Sequence, residues 1–345
     1  MGRSHPKYIA GAVQAASVVH DLEGGVRRTI ELIEEASEKG VKVLVFPETW
    51  IPGYPYWAWL GPQAWGMQFV QAYHDNAMEV GDEHHQAICA AARAHNMYVV
   101  LGFAEKFEGS VYIAQSIIGP DGVVIANRRK LKATHVERAV FGEGSGVDLD
   151  VHRTEDAGNL GALCCWEHMQ PLSKYALYSM NEQVHAAAWP TLSLYEGKAF
   201  ALGPEANMSL SRTYAMEGQC FVIAATSVMT SEIQDALGLD DMQKDLLPVG
   251  GGSSSIFAPD GQLISAPLPP DEEGIVVAEL DLGLISLAKA AADPAGHYAR
   301  PDVTQLVLNR APTPTTLVRA PERPSGPTAF EFREDDVALD EEEMV

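Results

Sequence analysis

The fold is indicated first by residues 7–46, where the segments are KYIAGAVQAA (7–16), RRTIELIEEASEKG (27–40) and VKVLVF (41–46). The first and third are apolar runs of a length and composition typical of buried strands. The middle segment places Ile30, Ile33 and Ala36 on one face of a helix and closes on Gly40. A helix between two buried strands predicts a sheet that is covered by helices.

The same alternation continues along the chain. A helical pattern over 84–96 precedes an apolar run over 97–106. Later runs predict strands over 160–165, 184–189 and 220–227, and helices over 171–181 and 204–218. The segments 116–126 and 254–266 each place a Pro-Asp-Gly turn between apolar residues and predict hairpins. We expect an α/β fold, with the hairpins either independent or part of a duplicated pair of sheets.

Charge and cysteine content exclude several classes of protein. The 345 residues contain 24 Lys and Arg against 47 Asp and Glu, a net charge of −23. This balance disfavours nucleic acid or an anionic membrane as a partner, because both require a cationic surface. The N-terminus has no signal-peptide pattern, and no apolar run is long enough to span a membrane. The four cysteines form no CxxC pair, which disfavours a disulfide framework or structural zinc and fits a reducing cytoplasm.

The C-terminal region differs in composition from the rest. The chain is rich in proline after His297, shows no helical or strand period from about 309, and ends in EFREDDVALDEEEMV (331–345). We predict a folded domain over 1–305 and a solvated, acidic tail over 306–345.

Three segments place reactive side chains at strand ends: VLVFPETW (43–50), RRKLKATHVER (128–138) and GALCCWEHMQP (161–171). Strand ends and the loops that follow them are where α/β proteins assemble their sites. Cys165 ends an apolar strand, where nearby backbone N–H groups would favour a thiolate and donate to an oxyanion. Cys164 would face the opposite side of the strand. The alternative, a buried structural thiol, is the interpretation we adopt for Cys89 and Cys220.

Glu48 and Lys130 complete the candidate chemistry. A carboxylate at the edge of a core tends to have a raised pKa, which suits a general base. The alternative is that Glu48 is a helix cap or a surface acid. Lys130 would lower the pKa of a neighbouring thiol and stabilise negative charge, unless it lies on a solvated hairpin arm.

Three motifs together resemble the nitrilase branch of the carbon–nitrogen hydrolases: FPE (46–48), RRKLKATHVER (128–138) and CWEH (165–168). Further similar segments are IPGYPYW (51–57), YSMNEQVHAAAWP (178–190) and AADPAGHYARPDV (291–303). The resemblance runs from about residue 7 to residue 305. It implies a four-layer αββα sandwich, with two mixed sheets packed face to face and helices outside.

The resemblance also assigns roles to individual residues. It makes Glu48 the general base, Lys130 the charge stabiliser, Cys165 the nucleophile and Glu137 an orienting glutamate. Ala133 stands where many relatives have proline. The substrate-binding residues that we expect from the same segments are Tyr54, Trp189, Trp166 and His168.

The activity implied is hydrolysis of an organic nitrile to a carboxylic acid and ammonia, through a thioimidate and a thioester, without metal or organic cofactor. The resemblance further implies a homo-oligomer, built from dimers that extend into spirals or filaments. Alternatives are an amidase or carbamoylase with the same triad, a cyanide-hydrolysing enzyme, or a non-catalytic scaffold. His84 and His85 lack a third ligand at metal-binding spacing and are expected at the surface. A Cys165–His168 dyad is disfavoured, because their spacing after a strand end need not bring them together.

Overall fold

The computed structural model describes residues 5–311. The strands are β1 (Lys7–Ala15), β2 (Val41–Val45), β3 (Tyr98–Phe107), β4 (Ser110–Ile118), β5 (Val124–Arg129), β6 (His152–Arg153), β7 (Asn159–Cys164), β8 (Val184–Trp189), β9 (Phe221–Ser227), β10 (Ser255–Phe257) and β11 (Gly274–Asp281). The helices are α1 (Leu22–Glu38), α2 (Trp57–Leu60), α3 (Gln63–Asp75), α4 (Glu83–Ala94), α5 (Pro171–Ser179), α6 (Pro204–Gly218), α7 (Ser231–Ala236), α8 (Asp241–Leu246) and α9 (Gly283–Ala291). The α/β class expected from the sequence is confirmed.

The strands form a mixed sheet in the order β5-β4-β3-β2-β1-β9-β8-β7-β6, with β10 beside β9 and β11 beside β1. Strands β1, β2 and β3 run parallel, as do β7, β8 and β9. These two groups join where β1 meets β9, in a register of two residue pairs, Gln14 with Thr226 and Ala15 with Ser227. The hairpin expected over 116–126 is confirmed as β4–β5, and that over 254–266 closes through a single bridge between Phe257 and Leu263.

Local signals explain the first helix. The side chain of Asp21 caps α1 by accepting from the backbone N–H of Gly24 at 2.9 Å. Gly40, at φ +71°, adopts the left-handed conformation that ends the helix, and its N–H donates to the carbonyl of Ser37. Leu32, Ile33 and Ala36 are buried against the sheet, in agreement with the amphipathic pattern.

The core consists of separate apolar clusters. One contains side chains of α1 and α4 packed on strands β1 to β4. Another contains side chains of α5 and α6 packed on strands β7 to β9. A third contains side chains from both strand groups, including Val43, Val100, Ala162 and Ile223. Each strand group therefore packs against helices, and both groups contribute side chains to one shared apolar cluster.

Two sequence expectations need revision here. His85 is buried rather than exposed, because its Nε2 lies 3.0 Å from the Ser116 hydroxyl and its ring packs near Phe103. The sequence pattern did not predict helices α2 and α3, because α2 is short and α3 has apolar side chains on its exposed side as well, Met67 and Val70. The aromatic side chains of both helices belong to a further apolar cluster, which also contains side chains of β3, β4 and β7.

The start of the expected tail is described in part. Leu306 and Leu308 pack against the cluster formed by α5 and α6, and Arg310 pairs with Asp150. The acidic residues over 331–345 lie outside the described residues. Of the helices within 5–311, none is both long and apolar enough to cross a membrane.

Candidate active site

Glu48 lies in the turn after β2 and is fully buried. Its backbone N–H donates to the carbonyl of Trp189, at the end of β8, over 3.2 Å. On the neighbouring strand β3, a Cβ at Gly102 would lie 2.0 Å from the carbonyl oxygen of Pro47. Glycine is therefore required at Gly102 for β3 to approach the turn that carries Glu48.

Lys130 follows directly after β5 and is also buried, which excludes the solvated hairpin arm. Its backbone N–H continues the pairing with β4 by donating to Ile113 at 2.8 Å. Its ammonium Nζ lies 2.8 Å from Glu48 Oε1 and 2.8 Å from Glu137 Oε2. The structure therefore brings together three charged side chains that are distant in the sequence.

Glu137 lies in a 3₁₀ turn, His135–Ala139, and its carboxylate accepts hydrogen bonds from groups around Lys130. Besides Lys130, Oε2 accepts from the backbone N–H of Thr134 at 2.6 Å. Oε1 accepts from the hydroxyl of Tyr54 at 2.6 Å, and that hydroxyl accepts from Trp59 Nε1 at 3.0 Å. These bonds hold Glu137 in one orientation beside the ammonium group.

Cys165 begins a 3₁₀ turn, Cys165–Met169, immediately after β7. Its φ of +45° is uncommon for a residue with a side chain, and such strain is typical of functional sites. Its side chain lines a narrow cleft whose other walls include Tyr54, Thr134, Glu137 and Trp166. Cys164 is fully buried in a different apolar cluster, as expected from alternation along the strand.

The pKa of the Cys165 thiol depends on opposing influences within the site. Burial and the negative charge of Glu48 raise the pKa of the Cys165 thiol well above its usual value, while Lys130 and the Trp166 backbone N–H oppose this shift. Lys130 therefore acts on the thiol pKa in the direction expected from the sequence, but burial outweighs it. The raised pKa favours the neutral thiol, because burial disfavours the anion.

The pKa of Glu48 is raised to about 8, by burial first and by the charge of Glu137, against the lowering effect of Lys130. Burial alone would lower the pKa of Lys130, but the charges of Glu137 and Glu48 raise it well above its usual value. The second carboxylate oxygen of Glu48, Oε2, is buried without a hydrogen-bond partner. This arrangement combines a permanently charged ammonium group, a neutral thiol and a carboxyl group that titrates near neutral pH.

A second buried ion pair connects the loops of Lys130 and Cys165. Both guanidinium Nη atoms of Arg128 contact the carboxylate of Glu167, at 3.0 and 2.8 Å. The same carboxylate accepts the backbone N–H groups of Leu131 and Cys164, at 2.9 and 2.8 Å. The charge and hydrogen bonds of Arg128 lower the pKa of Glu167 despite its burial.

Arg128 and Glu167 were not among the expected site residues. The available signal was their sequence position, two residues before Lys130 and two after Cys165.

The four expected substrate-binding residues occupy two different positions. Tyr54 and Trp166 line the cleft. His168 and Trp189 are fully buried and stacked on each other, and neither is among the described residues that line it. Trp189 Nε1 donates to Ser211 at 3.1 Å, and His168 Nδ1 lies 2.6 Å from the backbone carbonyl oxygen of Cys165. The His168 side chain therefore supports the backbone of the site from behind the cleft, and the Trp189 side chain packs against His168. Within 5–311, no cluster of three His, Cys, Asp or Glu side chains could hold a metal ion.

Comparison with known proteins shows the family to which the chain belongs. The carbon–nitrogen hydrolase family model matches residues 9–290. The chain belongs to the carbon–nitrogen hydrolase family. Over 328 residues, this hydrolase is 50% identical to a nitrilase from Pseudomonas syringae pv. syringae (strain B728a). The alignment covers 95% of this chain and 97% of the relative. It is 50% identical over 300 residues to an arylacetone-specific nitrilase from Alcaligenes faecalis, covering 87% and 84% of the two chains.

The fold of this carbon–nitrogen hydrolase is also found among solved structures. The crystal structure of a carbon–nitrogen hydrolase from Helicobacter pylori G27 matches with a TM-score of 0.67, at 19% identity, over 86% of this chain and 96% of the other. At this identity the match establishes a common mixed α/β fold.

Proposed function

We propose that this nitrilase hydrolyses an organic nitrile with Cys165 as nucleophile, Glu48 as general base, Lys130 as charge stabiliser and Glu137 as orienting group. The reaction consumes two waters and releases a carboxylic acid and ammonia. The observation that carries the proposal is the position of Lys130 Nζ, 2.8 Å from both carboxylates, beside the cleft lined by Cys165.

The first step follows from the protonation states. Ionised Glu48 takes the proton from the neutral thiol as sulfur attacks the nitrile carbon, and returns it to the nitrile nitrogen. One C–S bond forms and one C–N π bond breaks, giving a thioimidate. A thiol is suited to this step, because its sulfur is more nucleophilic than a hydroxyl oxygen toward a weakly electrophilic carbon.

The second and third steps use water. Glu48 removes a proton from the first water as the water oxygen adds to the thioimidate carbon, and passes this proton to the nitrogen, giving a tetrahedral intermediate. The hydroxyl proton then moves to the nitrogen through the same carboxylate, the C–N bond breaks and ammonia leaves, giving a thioester. A second water, activated in the same way, displaces Cys165 and releases the acid. Lys130 and backbone N–H groups stabilise the tetrahedral states, and loss of one such donor typically costs about 2.7–4 kcal/mol.

The substrate would lie against Tyr54 and Trp166, which face the cleft. His168 acts through the backbone of Cys165, and Trp189 packs on the His168 ring. Tyr54 also donates to Glu137, so one face of the substrate pocket is continuous with the charged site.

The test is a matched panel of nitriles and the corresponding amides, scored for ammonia, acid and amide. We expect nitriles to be turned over faster. Faster turnover of the amides would instead identify an amidase, and no turnover of either would identify a scaffold. Inclusion of cyanide in the panel separates hydrolysis of organic nitriles from hydrolysis of cyanide.

We also propose that the two strand groups form a four-layer αββα sandwich. In support, Tyr8 on β1 donates to the carbonyl of Ala157, before β7, at 2.7 Å. Tyr98 on β3 and Lys42 on β2 contact Asp156 in the same loop. With the shared apolar cluster and the helices on each outer side, these contacts favour sheets packed face to face.

The remaining proposals concern organisation and location. We propose a catalytic domain over 1–305 followed by the acidic tail. A homo-oligomer is favoured by exposed apolar side chains on the neighbouring helices α5 and α6, Leu172 and Met216. Four free cysteines fit a cytoplasmic location.

A further inference from the structure

A chain of hydrogen bonds extends behind Cys165 into the protein interior. We call its four side chains, His168, His185, Glu182 and Tyr214, the buried chain. His168 Nε2 lies 3.0 Å from His185 Nε2, and His185 Nδ1 lies 2.7 Å from Glu182 Oε1. The other oxygen of Glu182 accepts from the hydroxyl of Tyr214. All four side chains are fully buried.

The partners determine which atoms carry hydrogen. The Cys165 carbonyl can only accept, so His168 Nδ1 must donate to it. His168 is neutral, since burial and the neighbouring His185 lower its pKa to about 3. Its Nε2 therefore accepts, and the donor must be Nε2–H of His185.

The same reasoning fixes the state of Glu182. Burial lowers the pKa of His185 well below its usual value, so this ring is also neutral and its Nδ1 accepts. The atom facing Nδ1 is Oε1 of Glu182, which must then carry a proton. Burial raises the pKa of Glu182 to about 8, in agreement with a carboxylic acid at neutral pH. Space for this group depends on Gly161, where a Cβ would lie 1.9 Å from Oε1.

The buried chain ends on the peptide that controls the nucleophile. The carbonyl of Cys165 and the N–H of Trp166 belong to one planar peptide unit. Donation to the oxygen by His168 polarises this unit and strengthens its N–H as a donor. That N–H lowers the pKa of the Cys165 thiol, against the effect of burial. The bond from His168 also opposes relaxation of the strained φ of +45° at Cys165.

We propose that the buried chain positions and polarises the Cys165–Trp166 peptide for catalysis. Through it, His168 aims the Trp166 N–H at the sulfur and at the negative charge that develops in the tetrahedral states. His168, His185 and Glu182 are positioning residues, because they act through the peptide and not on the substrate. The inference rests on the proposed role of Cys165 as nucleophile.

The first experiment compares two substitutions at one position. His168→Asn places an amide N–H where Nδ1 stood, while His168→Leu removes the donor. We expect His168→Leu to lower kcat roughly tenfold to a hundredfold, with a smaller change in KM. The larger value equals the smallest loss that is typical when one oxyanion donor is removed. His168→Asn should stay within about fivefold of the unsubstituted enzyme, because it restores the bond to the Cys165 carbonyl.

The second readout is the pH profile of Cys165 alkylation by iodoacetamide, measured by peptide mass spectrometry. In His168→Leu, the Trp166 N–H is no longer polarised, so the alkylation profile should shift to higher pH. In His168→Asn, the profile should return to that of the unsubstituted enzyme. A shift of this kind is not expected from a packing defect alone. Equal kcat values and equal alkylation profiles for the two variants would overturn the inference.

The third comparison tests the proton on Glu182. The amide of Glu182→Gln donates to His185 and accepts from Tyr214, as the carboxylic acid does. We expect it to retain kcat within about twofold, while Glu182→Leu reduces kcat roughly tenfold. A Glu182→Gln variant as impaired as Glu182→Leu would overturn the assignment of a neutral acid.

Two controls separate the possible failures. His85→Leu removes another buried histidine that bonds to Ser116, away from the cleft. It should lower Tm and leave the alkylation profile unchanged. Cys165→Ala tests the underlying mechanism. If Cys165→Ala retains turnover, the proposed function fails, whereas if it is inactive and His168→Leu is normal, only the positioning inference fails.

Discussion

The carboxylate of Glu167 binds both Nη atoms of Arg128, at 2.8 and 3.0 Å, and the N–H of Leu131, and thereby joins the end of β5 and the loop after it to the turn after β7. The first loop carries Lys130 and the turn begins with Cys165. The pair is buried on both sides, with 5% and 4% of the side chains exposed. It therefore sets the relative position of the ammonium group and the thiol without contacting the cleft.

Glu167→Gln should destabilise the protein and reduce turnover. Removal of one partner leaves Arg128 as an uncompensated buried charge, which typically costs about 3–5 kcal/mol. Urea unfolding and kcat are the measurements. The matched control is Asp235→Asn in the exposed pair with Lys244, where we expect a change of less than about 1 kcal/mol.

If Glu167→Gln does not fold, an Arg128→Met Glu167→Met double variant resolves the question. Replacing both charges by apolar groups should recover stability. The recovered protein should still turn over slowly, because Leu131 and Cys164 lose their shared acceptor. Full activity in the double variant would contradict a positioning role.

Cys165→Ala should abolish turnover and any substrate-derived covalent adduct, whereas Cys164→Ala should retain substantial activity. The two thiols are adjacent in sequence, but only Cys165 lines the described cleft, and Cys164 packs in an apolar cluster. Steady-state kinetics and intact-protein mass spectrometry distinguish them. An adduct mapped to Cys164 would refute the assignment.

The value of kcat/KM should rise with pH toward a plateau above an apparent pKa near 8. Glu48 can accept the thiol proton only when it is ionised, and its pKa is raised to about 8. The value of kcat/KM should therefore decrease as the pH falls below about 8. The apparent value belongs to the coupled group of Glu48, Lys130 and Glu137.

Glu182 also has a pKa of about 8, so the profile of Glu182→Gln is the necessary comparison. We expect the same midpoint in this variant, because the titrating base is Glu48. Disappearance of the rise in Glu182→Gln would assign it to the buried chain instead.

Gly102→Ala should reduce both stability and kcat. Its Cβ would lie 2.0 Å from the carbonyl oxygen of Pro47, so β3 or the Glu48 turn must move. The control is Gly203→Ala, where the nearest described atom is 3.4 Å away. A normal kcat in a folded Gly102→Ala variant would contradict the importance of this close approach.

The sequence predicted the elements with strong apolar patterns well. The strand expected over 184–189 is β8, and the helix expected over 204–218 is α6. The sequence did not predict helix α3, although Trp65, Phe69 and Tyr73 recur at helical spacing. The exposed side of this helix also carries apolar residues, Met67 and Val70, so its polar face is indistinct. Tertiary packing decides that Tyr73 is buried and that Trp65 and Phe69 are partly buried.

The sequence by itself determined the α/β alternation and the three strand ends that carry Glu48, Lys130 and Cys165, because apolar periodicity and strand termini are local properties. Only the tertiary structure decided how these groups interact. The ammonium group between two carboxylates, the raised pKa of the thiol and the chain from His168 to Glu182 depend on distances between remote segments. Burial removes water from all of these groups at once, so their protonation follows from their neighbours in space and not from their neighbours in sequence.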